Sequence, residues 1–320
     1  MHIKNMVWIK SAAVVLALLF FWQCSSTDQK NNQTKMNILA TTTIVGDVVS
    51  RVAAEKAEVH VLLPAGASPH SFEVAPRDMI KADRAEIIFC NGAGLEQFIA
   101  ILIKNSGTKA TIVRLSDSLP LRALAKKEEP HHDHHHHDHD HAHSGDVDPH
   151  VWFDPHLVIR WVHLIADTLS VLHPQYAEFF RGNAQAYLQE LQELDTWIRD
   201  EVAQLPGDKR LLVSDHMLFG YFADRYGFKE IGAIIPGFST LAEPSARDIA
   251  RLEDHIRKMK VPAILVDRNV NPDLAGQITR DTGTKMVRIY SGSLSEKGGE
   301  ADTYIKYMRY NVAAIIAALK

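Results

Sequence analysis

The sequence predicts an α/β protein made of two parallel-sheet β/α lobes joined by one long rigid helix. Three observations carry the prediction. Short apolar runs alternate with helical patterns from residue 36 to residue 116. The same alternation restarts at residue 210 and runs to the end, and one unbroken helical pattern over 174–205 separates the two series. Strands that alternate with helices pair in parallel, because each helix returns the chain to the start of the next strand. The expected divisions are an N-terminal segment over 1–35, a first lobe over 36–173, the linking helix over 174–205 and a second lobe over 206–320.

In the first lobe MNILAT reads as a strand and Ile44 to Glu55 as a helix. VHVLLP is a second strand, APRDMIKADRA a helix, EIIFCN a third strand, LEQFIAILIKN a helix and TIVRLS a fourth strand. DPHLVIRWVHLIADTLSVLHP gives a helix with Pro155 in its first turn, where a missing N–H costs nothing. In the linking pattern Tyr176, Phe179, Phe180, Tyr187, Leu191, Leu194, Trp197, Ile198 and Val202 recur at three and four, the period of a buried helical stripe, and Pro206-Gly207 ends it.

The second series follows the same logic. RLLVS, EIGAII, AILVD and KMVRIY read as strands. MLFGYFADRY closed by Gly227, SARDIARLEDHIRKM, NPDLAGQITRDT capped by Gly283 and the terminal ADTYIKYMRYNVAAIIAALK read as helices. Only the stretch 125–147 lacks a structural pattern.

With 320 residues, 46% hydrophobic and 23% charged, the chain is long enough for two globular lobes, each with its own core. A net charge of −4 and the lack of a basic patch beyond the N-terminus give no sign of a nucleic-acid partner. At the N-terminus Lys4 and Lys10 lead into an apolar stretch from Ser11 to Trp22. That stretch is short of the ~20 residues of a membrane span and suits a signal peptide, with an uncleaved anchor as the alternative. Cys24 at its end resembles the lipidation cysteine of a bacterial lipoprotein, although Phe21, Trp22 and Gln23 depart from the usual Leu-small-small approach. Lipidation would leave Cys90, in the apolar run EIIFCNG, as a buried thiol and the fold without a disulfide.

Histidine is the outlier. Half of the 18 histidines lie in HHDHHHHDHDHAH: His131, His132, His134, His135, His136, His137, His139, His141 and His143. Three others share one topological position. His70, in VHVLLPAGASPHSFE, follows a strand; His216, in KRLLVSDHMLFGYF, directly follows a strand and opens a helix; His150, in DPHVWFDP, precedes the first helix beyond the run. Ligands of open parallel sheets bind beyond the carboxyl ends of the strands, where such loops meet. Pro69 and Pro149 stiffen the backbone before His70 and His150, which lowers the ordering cost of holding a ligand. His163, His173 and His255, within or at the ends of helices, carry no such signal.

The segments PAGASPHSFE, NGAGLEQF, DPHVWFDP, SDHMLFGYFADRYG and ADTYIKYMRYN, in this order, resemble the zinc- and manganese-binding receptors of ABC importers, the cluster A-I solute-binding proteins with their ZnuA-type zinc members. The resemblance covers most of Met36 to Lys320. It implies two β/α lobes on a rigid backbone helix, a metal cleft between them, His70, His150 and His216 as ligands, and a membrane permease as partner. Manganese members usually carry a glutamate where this chain has His216. The family's fourth ligand, an aspartate, falls at Gly292 in IYSGSL, so the resemblance leaves the fourth position to water, a histidine of the run, or a carboxylate such as Asp267 or Glu243.

Three imidazoles without an assured carboxylate suit Zn²⁺, which takes nitrogen tetrahedrally, better than Mn²⁺, which prefers oxygen-rich shells. The histidine run has nothing to pack, and metal held there must order backbone at ~1–2 kcal/mol per residue. It is therefore expected to be an accessory that gathers metal or senses its level, against the plainer possibility of a solvated spacer. The predicted product is a monomeric extracytoplasmic receptor, periplasmic or lipid-anchored, and not an enzyme. A zinc hydrolase or hydratase is the rival from another class, since three histidines and a water also form a catalytic site. Against it, no HExxH-like motif places a general base beside the metal. A metal-buffering surface lipoprotein is weaker still, because paired lobes imply a cleft.

Overall fold

The structure is a computed structural model that describes residues 35–123 and 147–320. Cys24, the signal segment and the histidine run therefore lie outside the described residues. The strands are β1 (Met36–Ala40), β2 (Ala57–Val61), β3 (Ile87–Cys90), β4 (Thr111–Arg114), β5 (Leu211–His216), β6 (Lys229–Ile235), β7 (Ala263–Asp267) and β8 (Lys285–Ile289). The helices are α1 (Thr43–Ala53), α2 (Pro76–Arg84), α3 (Ile99–Ser106), α4 (Pro155–Leu172), α5 (Ala177–Ala203), α6 (Gly220–Tyr226), α7 (Ala246–Met259), α8 (Asp273–Thr282) and α9 (Tyr304–Leu319).

Two parallel four-stranded sheets result, in the orders β2-β1-β3-β4 and β6-β5-β7-β8. The two orders are the same topology used twice. Each places its first and third strands centrally, so the loops after β1, β3, β5 and β7 leave from the middle of a sheet.

The expectation of one core per lobe is corrected. Side chains alternate across each strand, and the inner sets of both sheets enter one continuous core. Ile38 and Ala40 of β1, Ile87 and Phe89 of β3, Leu212 of β5, Leu265 of β7 and Ile289 of β8 all belong to it. The outer sets form two smaller clusters, around Leu39 and Ile88 in one lobe and around Val213, Ile264 and Val266 in the other. The shared core is filled by α1, α4, α5 and α9. Burying one large apolar side chain stabilises by about 1.5–3 kcal/mol, and here each such burial joins the lobes as well as folding them.

Helix α5 supplies the expected stripe: Phe180, Tyr187, Leu191, Leu194, Ile198 and Val202 are buried. Tyr176, Phe179 and Trp197 are only partly buried. Cations cover their outer faces, with Lys56 over Tyr176 and Phe179 and Arg309 over Trp197. The helix starts at Ala177 because Pro174–Tyr176 form a 3₁₀ turn.

Two further boundaries differ from the expectation. Helix α3 begins at Ile99, about a turn late, because the chain from Gly92 to Gly94 runs through positive φ and Glu96 folds back on it. Strand β2 begins and ends earlier than VHVLLP, although the N–H groups of Leu62 and Leu63 still donate to the carbonyls of Ala40 and Thr41.

Candidate metal centre

Beyond the carboxyl ends of the strands the three histidines converge. His216 is the last residue of β5 rather than the first of a helix, and α6 starts only at Gly220. His150 precedes the 3₁₀ turn Val151–Phe153. His70 lies in the long loop between β2 and α2. The Nε2 atoms of His70 and His150 are 3.3 Å apart, and those of His150 and His216 are 3.2 Å apart. One nitrogen from each ring lies within 4.8 Å of both others. The rings, 80 and 66 residues apart along the chain, meet within one coordination sphere.

His150 and His216 are buried, at 1% and 3% exposure, and each has a carboxylate behind it. Asp148 Oδ1 lies 2.9 Å from His150 Nδ1, and Asp215 Oδ1 lies 2.8 Å from His216 Nδ1. A carboxylate only accepts, so each Nδ1 carries the hydrogen and each Nε2 turns its lone pair to the cleft. His70 is partly buried. Among the described residues its Nδ1 has no such backing.

The loop of His70 is held from the opposite lobe. Gly66 N–H donates to Ser293 Oγ at 2.8 Å, and Ser68 Oγ is 3.4 Å from Thr240 Oγ1. The Pro69 ring seats on Gly292 so closely that a Cβ there would stand 2.9 Å from Pro69 Cδ. The cleft between these walls holds about 60 Å³, lined by the three histidines, Ser68, Pro69, Thr240, Asp267, Asn269 and the Ser291–Ser293 segment.

Burial is the main reason His70 and His150 stay neutral. It pushes His70 down to about 2, with His150 and His216 adding to the shift, and it holds His150 well below the ordinary range, with His216 adding. Burial raises Asp148 to about 7 against the pull of the His150 backbone N–H. Burial would raise Asp215 too, but hydrogen bonds from His216 and from the Asp267 backbone hold it below the usual carboxylate range. Neutral imidazole is the form that ligates a metal.

Of the two carboxylates considered for a fourth ligand, Asp267 lines the cleft but is engaged. Its Oδ2 accepts Ser291 N–H (2.8 Å) and the Ser291 hydroxyl, and its Oδ1 accepts Asn269 N–H (2.6 Å). Glu243 is exposed and is not among the residues lining the cleft. His163 and His255 are exposed, and His173 caps α4 beside Glu86. Sequence reasoning missed Asp148, although an Asp two residues before His150 in DPHVWFDP fits the side-chain-to-backbone bond that Asp makes two positions on, here to His150 N–H at 3.0 Å.

The family of periplasmic zinc-uptake complex component A (ZnuA) matches residues 38–318. The chain belongs to this family. It is 31% identical over 288 residues to the manganese-binding lipoprotein MntA of Halalkalibacterium halodurans, covering 89% of this chain and 88% of that one. It is 27% identical over 316 residues to the manganese ABC transporter substrate-binding lipoprotein PsaA of Streptococcus pneumoniae, covering 96% and 97%. Among solved structures it resembles the periplasmic zinc-binding protein TroA of Treponema pallidum, with a TM-score of 0.77 and 26% identity over 89% of this chain and 99% of that one. The ZnuA-family chain is thus an extracytoplasmic metal-binding receptor of an ABC importer, not a hydrolase. No helix among the described residues is long and apolar enough to cross a membrane.

Proposed function

We propose that the receptor captures Zn²⁺ through the Nε2 atoms of His70, His150 and His216 and hands it to a membrane permease. The observation that carries this reading is the nitrogen spacing. A tetrahedral Zn²⁺ with Zn–N bonds of ~2.0–2.1 Å separates its ligand nitrogens by roughly 3.3–3.4 Å. The two Nε2–Nε2 separations in the structure are 3.3 and 3.2 Å. Gly292 brings no side-chain carboxylate to the cleft, and both oxygens of Asp267 already accept hydrogen bonds, which speaks against the carboxylate-rich shell that Mn²⁺ prefers. Water fills the fourth position, for which the cleft has room.

Release follows when the permease draws the His70 loop from the opposite lobe and leaves two imidazoles where three had held the ion. Cys24 carries the lipid that keeps the monomeric receptor at the membrane. The run His131–His143 gathers metal weakly and interchangeably, as an accessory to the three-histidine site.

Elemental analysis of protein purified without added metal, with residues 125–147 deleted, tests the choice of ion. The expected result is about one zinc per chain and negligible manganese. Stoichiometric manganese would replace this reading with the one that the names of MntA and PsaA suggest.

A further inference from the structure

A carboxylate taken wholly out of water is costly unless donors satisfy it. Asp148 is such a group, with zero exposure, and it lies behind His150 rather than in the cleft. Its Oδ1 accepts both the backbone N–H of His150 (3.0 Å) and Nδ1–H of the same residue (2.9 Å). Its backbone N–H donates to the carbonyl of Arg122 (2.8 Å), and its own carbonyl accepts the hydroxyl of Tyr221 (2.9 Å). Its Oδ2 lies 3.8 Å from Arg122 Nε. A Cβ on Gly220 would come within 2.6 Å of Oδ2 and 2.5 Å of Nε, so the helix passes at a distance that only glycine allows. On the other side, Asn91 Nδ2 donates to the carbonyl of Pro149 (3.1 Å), the residue between Asp148 and His150.

We infer that Asp148 is a positioning residue for metal capture, acting through His150: its Oδ1 fixes the hydrogen on Nδ1 and the angle of the ring, and so delivers the Nε2 lone pair to the cleft. This rests on the reading of His70, His150 and His216 as the ligand set. Carboxylates behind ligating imidazoles act in this way in metal sites generally, and their loss typically lowers metal affinity about 10–100-fold. Arg122 supplies the opposite charge that makes a buried carboxylate tolerable there, and Asn91 holds the peptide on which the ring is carried. The competing explanation is purely structural, that Asp148 ties the chain at Arg122 to the chain at Pro149 and influences the ion only by keeping the fold intact.

A double-mutant cycle separates the two. Zn²⁺ affinity is measured by chelator competition on the full chain for Asp148→Asn, His150→Ala and the double variant. Asn keeps the shape and one acceptor oxygen but gives up the charge. The expected loss is about tenfold or more for Asp148→Asn alone, and less than about twofold when His150 is already Ala. Tyr221→Phe, which removes the bond to the Asp148 carbonyl and the one from Arg122 N–H and leaves the carboxylate in place, is expected to stay within about twofold of the wild type. Wild-type affinity in Asp148→Asn, or the same loss in the His150→Ala background, would overturn the positioning role. If Asp148→Asn does not fold, Asp148→Glu decides by the same cycle, since it keeps the charge and misplaces the oxygens. Unchanged zinc affinity in His150→Ala alone would overturn the ligand set and this role with it. A loss there beside wild-type binding in Asp148→Asn would overturn the role of Asp148 only.

Discussion

His150 and His216 on one hand, and His70 on the other, bring the same chemical group to the same point by different means. The first two are buried, each has a carboxylate on Nδ1, and each stands next to regular structure, at a 3₁₀ turn and at the end of β5. His70 sits on a loop whose hold comes from small contacts across the cleft, at Gly66, Ser68 and Pro69. Local hydrogen bonds and core packing fix the first pair. The third depends on the two lobes being together. Under the proposed capture by these three imidazoles, a receptor that must bind tightly and still release its ion gains from this division, because parting one loop removes one donor without disturbing the core.

The comparison breaks most completely if one proposed ligand is taken from each side. A structural zinc site is worth about 10–16 kcal/mol over four ligands, or roughly 3 kcal/mol each. At ~1.4 kcal/mol per decade that is about 100-fold per imidazole. The His70→Ala, His150→Ala double variant is expected to lose zinc affinity by about 10⁴-fold in competition titration, leaving only weak binding by the histidine run. Tight binding that persisted would refute the assignment of the site.

A smaller effect is expected from the packing that keeps His150 fixed. Trp152 is 2% exposed, meets the His150 ring at 5.2 Å between centroids, and donates from Nε1 to the Ser291 carbonyl and the Tyr307 hydroxyl. Trp152→Ala should destabilise the protein by about 3–5 kcal/mol in denaturant unfolding. That is a large share of the ~5–15 kcal/mol of a typical domain. A loss below about 1 kcal/mol would mean that the fixed half is not held by this core.

The smallest effect sharpens the other half. His70 is held at about 2 in the folded protein and titrates near 6.5 in the unfolded chain. Below pH 6.5 the unfolded state therefore takes up a proton that the folded state refuses, and His70 costs stability progressively as the pH falls. Buried Asp148, raised to about 7, acts in the opposite direction, so the total pH profile does not isolate His70. The difference between His70→Ala and wild type does. Without metal, the variant should gain about 1–2 kcal/mol relative to wild type between pH 7 and pH 5. A difference that does not change with pH would show that the loop leaves His70 open to water. The reference value of 6.5 alone would place the acid loss of metal binding too high.

Much of this was legible in the chain. Parallel β/α alternation, the stripe of α5 and the caps at Gly227 and Gly283 follow from periodicity and local backbone preference, which are properties of a few neighbouring residues. His70, His150 and His216 were legible as candidates because each stands at the end of a strand or in a loop that leads from a strand or into a helix, and the topology collects such positions. The late start of α3 was not, since Glu96 reaches back to Asn91 and Gly92 through side-chain bonds that leave no periodic trace. Asp148 was missed for a related reason: its role depends on the rotamer of a neighbouring ring.

Read alone, then, the chain establishes the class of fold, the order of the elements and the choice of three histidines as candidate donors, because short-range pattern and topology suffice for those. Only the tertiary structure decided that the lobes share one core, that two imidazoles have carboxylate support and one does not, and that Gly292 packs against Pro69. Those facts depend on distances between residues far apart along the chain, and such distances are set by packing in three dimensions, where every side chain competes for the same volume.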